Sequence, residues 1–284
     1  MYLKFFNLVE RPFSITPDIQ YFYMGKQYEQ ALDTLLFGIR ERLGIVMLTG
    51  EVGTGKTMVT RALLSRLDGQ VATALIVNPL LSVPELLKAI TKDFGVHVRY
   101  NSPQKQIEAL NKFLLAGAER DLNALVIVDE AQNLSMEALE TLRMLTNLET
   151  RKHKLLQVML VGQPELTKLL QMHGLRQLDQ RITSRYDLSP LTREEMTRYI
   201  NHRICTAGGG GRVFFEPKAS KIIHKQSKGL PRVVNILCDR ALMAAYVHET
   251  CVINKKVAKV AIADWRGRRK ASPLDVLKRL VFSS

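Results

Sequence analysis

Gly50-Glu-Val-Gly-Thr-Gly-Lys-Thr57 matches G-x-x-x-x-G-K-[ST], the pattern of the phosphate-binding loop (P-loop), at every defined position. An apolar run of strand length, Ile45–Leu48, comes just before this loop, and a stretch with helical periodicity, Lys56–Leu67, follows it. The P-loop binds phosphate only in this strand–loop–helix context. The sequence therefore predicts an α/β domain that binds a nucleotide.

The composition of the loop suits phosphate chemistry. Gly50, Gly53 and Gly55 allow tight turns that aim backbone N–H groups at phosphate oxygens. We expect Lys56 to reach the β- and γ-phosphates of ATP and Thr57 to ligate Mg²⁺. The predicted cofactor-binding residues of this segment are Gly50, Glu51, Val52, Gly53, Thr54, Gly55, Lys56, Thr57 and Met58.

Two carboxylates follow a second apolar run, Leu125–Val128. A buried strand here would deliver Asp129 and Glu130 to the carboxyl edge of the sheet, where open α/β folds bind their ligands. We expect Asp129 to hold the Mg²⁺ through water and Glu130 to polarise the attacking water as general base. Together with the P-loop, this pair predicts ATP hydrolysis.

Strand-length runs alternate with helix-period stretches before Ser189. The apolar runs are Ile45–Leu48, Ala74–Val77, Leu125–Val128 and Gln157–Val161, and the helical stretches are Gln27–Arg42, Lys56–Leu67, Pro84–Phe94, Gln104–Glu119 and Met136–Thr146. This alternation predicts a parallel sheet covered by helices on both faces.

Helical patterns alone dominate after Ser189-Pro190, and no further strand is predicted there. The patterns cover Glu194–Ala207, Pro217–Gln226, Arg232–Glu249 and Lys255–Trp265. We expect an N-terminal segment with one helix over residues 1–43, a nucleotide-binding core over 44–190, a small all-α lid over 191–265, and a basic amphipathic tail over 266–284.

The chain is basic, with 41 Lys and Arg against 27 Asp and Glu, a net charge of +14 and a pI near 9.8. Such a charge favours a polyanionic partner, either nucleic acid or an anionic membrane. The three cysteines and six histidines have no metal-ligand spacing. Because we find neither a membrane span nor a signal peptide, we expect a cytoplasmic protein.

These motifs resemble the AAA+ class of ATPases, which implies a three-layer core, a helical lid and further site residues. Gln163 ends the fourth strand run and is similar to the sensor-1 residue, which contacts the γ-phosphate or the attacking water. The segment Gln180–Asp187 resembles the arginine-finger segment, with Arg185 as the first choice for the finger and Arg181 as the second. Arg232, in Gly229–Asn235, resembles the sensor-2 arginine of the lid.

The order of the motifs narrows the resemblance to the GspA/ExeA ATPase family of type II secretion. It rests on these segments in order: Met1–Phe6, Arg11–Asp18, Leu48–Thr57, Val128–Asn133, Leu160–Leu166, Gly229–Asn235 and Leu237–Asp239. Members of the secretion type continue into a membrane span and a peptidoglycan-binding domain. The length of this chain is closer to the MshM-like cytoplasmic ATPases of type IV pilus operons, and a chain truncated before such a span is the alternative.

The resemblance implies a homo-oligomer, with a hexamer as one candidate, that uses ATP bound between subunits to assemble a pilus or secretion machine. The tail over 266–284 could then lie on the anionic inner membrane. A DNA-binding regulator similar to transposition target-selection ATPases is the alternative function, since the net charge suits DNA phosphates. A nucleotide-binding scaffold with negligible turnover is a third.

Overall fold

The computed structural model describes residues 2–67, 69–77, 79–98, 102–150 and 153–267 of the chain. Its strands are β1 Ile45–Gly50, β2 Val71–Ile76, β3 Asn123–Val128, β4 Gln157–Gly162, β5 Ile182–Leu188, β6 Phe214–Phe215 and β7 Val252–Ile253. Its α-helices are α1 Tyr2–Phe6, α2 Lys26–Arg40, α3 Lys56–Leu64, α4 Val83–Asp93, α5 Pro103–Ala118, α6 Met136–Leu145, α7 Pro164–Leu170, α8 Arg176–Arg181, α9 Arg193–Thr206, α10 Pro217–Ser227, α11 Pro231–Val247 and α12 Lys255–Trp265.

Five parallel strands form the main sheet in the order β2-β3-β4-β1-β5. Every residue of β1, β3 and β4 is buried, as expected for central strands with helices on both faces. Strands β1 to β4 confirm the predicted α/β class with a parallel sheet. Since parallel strands share one carboxyl edge, the ends of β1, β3 and β4 lie side by side.

The edge strand β5 was missing from the prediction, which assigned its residues only to an arginine-finger segment. Ile182 and Leu188 are buried, whereas the residues between them are exposed or half-buried. An edge strand of this kind has no continuous apolar run. It is held by pairing with β1, with Val46 opposite Ser184 and Leu48 opposite Tyr186. Apolar pattern alone therefore could not identify it.

The chain divides into two compact units. The sheet unit contains Lys26–Glu51 and Val59–Leu188, and its core packs the apolar residues of the strands against α4, α5 and α6. Of the described residues, the helical unit contains 2–25, Val52–Met58 and 189–267. The four predicted segments stay predictions, and residues 268–284 of the predicted tail lie outside the described residues.

The prediction that no strand follows Ser189 was wrong. In the helical unit β6 pairs in parallel with β7, Phe214 opposite Val252 and Phe215 opposite Ile253. The N–H of Phe214 donates to the Cys251 carbonyl at 3.1 Å. Two-residue strands are too short to show periodicity, so the sequence gives no sign of them. No helix of the described chain has both the length and the apolar composition of a membrane span.

Candidate functional site

The P-loop connects the end of β1 at Gly50 to the beginning of α3 at Lys56. Gly53 has a φ of +85° and Gly55 a φ of +104°, a region that favours glycine. A Cβ atom at Gly53 would lie 2.8 Å from the Cβ of Arg232, closer than such atoms come. The backbone conformation and the close approach both require glycine at position 53.

The loop side chains differ sharply in burial. Thr54 is fully buried and Lys56 is only 6% exposed, whereas Thr57 is exposed and Met58 half-buried. Glu51 and Val52 are exposed as well, with 51% of Val52 accessible. Because α3 begins at Lys56, the first backbone N–H groups of the helix lie in the P-loop segment. Such a helix start favours an anionic ligand.

Arg232 stands in the first turn of α11, which begins at Pro231. Its backbone N–H donates to the carbonyl of Gly53 at 3.2 Å, so the structure brings the predicted sensor-2 arginine to the P-loop. The turn before this helix needs Gly229, whose φ is +76°, because a Cβ there would collide with the Leu191 carbonyl oxygen. The Gly229-Leu-Pro231 turn thus positions Arg232 next to Gly53 of the P-loop.

Asp129 and Glu130 leave the carboxyl edge of the sheet after β3. Asp129 is 8% exposed, and its N–H continues the sheet by donating to the Ile76 carbonyl at 2.9 Å. The N–H of Glu130 donates to Asp129 Oδ1 at 2.9 Å. Glu130 has a φ of +53°, which is uncommon for a residue with a side chain and is often found at functional sites.

Gln163 follows β4, the strand between β1 and β3. Its amide Nε2 donates to Glu130 Oε2 at 3.0 Å. The structure thus brings together the predicted sensor-1 residue and the predicted general base. Gln132 lies in the Val128–Asn133 motif, but no role was predicted for it from the sequence. In the structure its Nε2 also donates to Glu130 Oε2, at 2.6 Å. The signal in the sequence that could have indicated this contact was a polar side chain two positions after Glu130.

The two candidate finger arginines are held by neighbours within the sheet unit. Arg185, on β5, donates through Nη2 to the Asp179 backbone carbonyl at 2.6 Å and to its Oδ1 at 3.0 Å. Arg181, at the end of α8, donates to Oδ1 of Asn147. Both arginines are thus held by residues of their own unit, Arg185 by Asp179 and Arg181 by Asn147.

A buried arginine on α9 fixes the N-terminal segment inside the helical unit. Arg203 donates to the backbone carbonyls of Pro12 and Ser14, and its guanidinium lies 4.8 Å from the centroid of the Tyr21 ring. Burial and the hydrogen bond to Glu10 raise the pKa of Tyr21 to about 12. Sequence reasoning did not single out Arg203.

The residue types found in the P-loop and after β3 suit Mg²⁺ and a nucleotide phosphate. The hydroxyl of Thr57 and the carboxylate of Asp129 are hard oxygen ligands of the kind that Mg²⁺ prefers. The left-handed glycines of the loop and the N-terminus of α3 supply backbone N–H groups for phosphate oxygens. The oxygen donors, the glycine backbone and Lys56 are therefore consistent with the predicted Mg-ATP.

Comparison with known proteins agrees with this site. Residues 39–170 match the model of the AAA domain family. The chain is 45% identical over 247 residues to General secretion pathway protein A of Aeromonas hydrophila, which confirms the predicted resemblance. The match covers 87% of this chain and 45% of that relative, so the chain spans less than half the length of the relative.

Solved structures with the same fold share little sequence with the chain. The Aeropyrum pernix ORC2 protein in ADPNP–ADP complexes has a TM-score of 0.65 at 19% identity, covering 90% of this chain and 71% of that one. Cdc6p of Pyrobaculum aerophilum has a TM-score of 0.64 at 20% identity, covering 87% and 68%. The Thermotoga maritima RuvB Holliday junction branch migration motor has a TM-score of 0.57 at 21% identity, covering 84% and 68%. These likenesses show the AAA-type fold.

Proposed function

We propose that the chain binds Mg-ATP at the P-loop Gly50–Thr57 and hydrolyses it. The observation that carries this proposal is the carboxyl edge of the sheet. There β1 runs into a glycine-rich loop and a helix, and the Glu130 carboxylate is held by the amide of Gln163 at 3.0 Å. Mg²⁺ held by Thr57 and Asp129 would neutralise charge on the phosphates. Glu130 would accept a proton from the attacking water.

We further propose that the chain works as a homo-oligomer on a bacterial envelope machine, either a type II secretion channel or a type IV pilus. The 45% identity to General secretion pathway protein A supports the first of these partners. An oligomer is needed if Arg185 completes the ATP site of a neighbouring subunit, because a finger supplied in trans stabilises the charge of the transition state.

Turnover per chain should therefore rise with protein concentration and require both Mg²⁺ and Lys56. We expect the Lys56→Ala variant to lose ATP affinity by about 10–100-fold, because a charged hydrogen bond contributes roughly 1.5–3 kcal/mol. The measurement is phosphate release over a range of protein concentrations, with and without EDTA, together with the melting temperature of each variant. Turnover independent of concentration would contradict the oligomer, and full turnover by Lys56→Ala would contradict the site.

We further propose an anionic membrane surface as a partner, and the exposed lysines of the helical unit support this proposal. One face of α10 and its C-cap presents four exposed lysines at spacings of three and four, and α10 has no acidic residue. These lysines are Lys218, Lys221, Lys225 and Lys228. None of them forms an ion pair with another described residue. Phe214, just before α10, is 61% exposed.

Exposed lysines and an exposed aromatic ring suit the headgroup region of an anionic bilayer, where such a ring can insert. Membrane attraction is about 1 kcal/mol per lysine near the surface. Replacing the four α10-face lysines with glutamine should therefore weaken flotation with phosphatidylglycerol vesicles by at least ~10-fold. Vesicles of phosphatidylcholine alone should bind neither protein.

The matched control replaces four exposed lysines of the sheet unit with glutamine, giving the same change in charge. These lysines are Lys26, Lys88, Lys92 and Lys112. Equal losses in both variants would contradict a specific surface on α10. Binding to duplex DNA that falls steeply with salt, without vesicle binding, would instead support the DNA-regulator function.

A further inference from the structure

The Glu130 carboxylate is held by two glutamines on one oxygen atom. Gln132 Nε2 lies 2.6 Å from Glu130 Oε2, and Gln163 Nε2 lies 3.0 Å from the same atom. Hydrogen bonds to an ionised group are stronger than those between neutral groups. Because both amides donate to Oε2, the pair restricts the rotation of the Glu130 carboxylate.

Gln132 also connects two strand ends. While its Nε2 donates to Glu130 after β3, its Oε1 accepts the backbone N–H of Gln163 after β4, at 3.1 Å. The space for this contact depends on Gly162, where a Cβ atom would lie 2.9 Å from Gln132 Oε1 and 2.8 Å from a Leu166 methyl carbon. Gly162 thus leaves room for the bridge.

We propose that Gln132 is a positioning residue that holds Glu130 in its orientation for accepting a proton. The proposal rests on the function proposed above. Glu130 lies two residues after β3 in the left-handed backbone region, a conformation that persists where surrounding contacts hold it. Gln132 supplies such a contact from two positions along the chain, and its own Oε1 is held by the backbone N–H of Gln163.

Replacing Gln132 with methionine tests this role, because methionine keeps the length of the side chain and removes both polar atoms. We expect kcat to fall by about 10–100-fold, the loss of one hydrogen bond to a charged group. ATP affinity and melting temperature should stay near those of the wild-type chain. Gln132→Glu, which replaces the donor with a second carboxylate, should lower kcat at least as much. Gln171→Met, in an exposed glutamine after α7, is the control.

A double-mutant cycle distinguishes positioning from a general structural effect. In the Glu130→Gln background, Gln132→Met should change the single-turnover rate by less than about two-fold, since the group it positions is gone. An equal loss in both backgrounds would overturn the proposal, as would a Gln132→Met variant with wild-type kcat. If the wild-type chain itself released no phosphate, the proposed function would fail and this inference with it, a result distinguishable from the other two.

Discussion

We expect the Glu130→Gln variant to lose about 10²–10⁴-fold in kcat for ATP hydrolysis while ATP affinity stays nearly unchanged. Glutamine has nearly the same size and can keep an oxygen for the amides of Gln132 and Gln163, but it cannot accept the proton of the attacking water. The change therefore removes the base and little else. Single-turnover phosphate release and equilibrium binding of a fluorescent ATP analogue give the two quantities separately.

The matched control is Glu137→Gln, which changes an exposed glutamate in the first turn of α6 and should turn over like the wild type. Unchanged phosphate release in Glu130→Gln, with a measurable wild-type rate, would remove Glu130 from the chemistry. If neither protein released phosphate above the blank while both bound ATP, the chain would be a nucleotide-binding scaffold.

The second large effect concerns Arg185, whose replacement by alanine should lower kcat by about 10³-fold or more with ATP still bound. In the described chain Arg185 pairs with Asp179, and the two side chains are 38% and 30% exposed. An ion pair this exposed contributes only ~0–1 kcal/mol. This ion pair is therefore a small obstacle to the proposed movement of Arg185 towards a phosphate on another subunit.

Mixing subunits shows whether the arginine acts in trans. Arg185→Ala chains keep a complete P-loop, and Lys56→Ala chains keep the arginine, so mixtures should regain part of the turnover that each lacks alone. No recovery at any ratio would count against action in trans. Arg181→Ala, examined in the same way, tests the second candidate. Arg176→Ala, at the exposed start of α8, is the control and should be active.

The sequence predicted the parts of the site that depend on local chain geometry. A P-loop needs a strand, a glycine-rich turn and a helix in succession, and all three lie within twenty residues from Ile45 to Leu64. Asp129 and Glu130 follow a run whose continuous apolar character is typical of a strand buried on both faces. Both features depend only on residues that are neighbours in the chain, so the sequence alone was enough to predict them.

Contacts between distant positions were decided by the tertiary structure. The bridge from Gln132 to Glu130 and Gln163 requires β3 and β4 to end side by side, and it requires a missing side chain at Gly162. The backbone contact between Arg232 and Gly53 joins positions about 180 residues apart. Sequence pattern reports which face of an element is apolar, but it does not report which polar groups meet when the elements pack.

The sequence by itself therefore determined the α/β class, the P-loop and the acidic pair, because each depends on the order and polarity of neighbouring residues. Only the tertiary structure decided the edge strand β5, the short pair β6–β7 and the amide pair around Glu130. An edge strand such as β5 is half exposed and is held by its partner strand β1. Hydrogen bonds between strands, and between the amides and Glu130, depend on which distant segments pack together. A local sequence pattern does not contain that information.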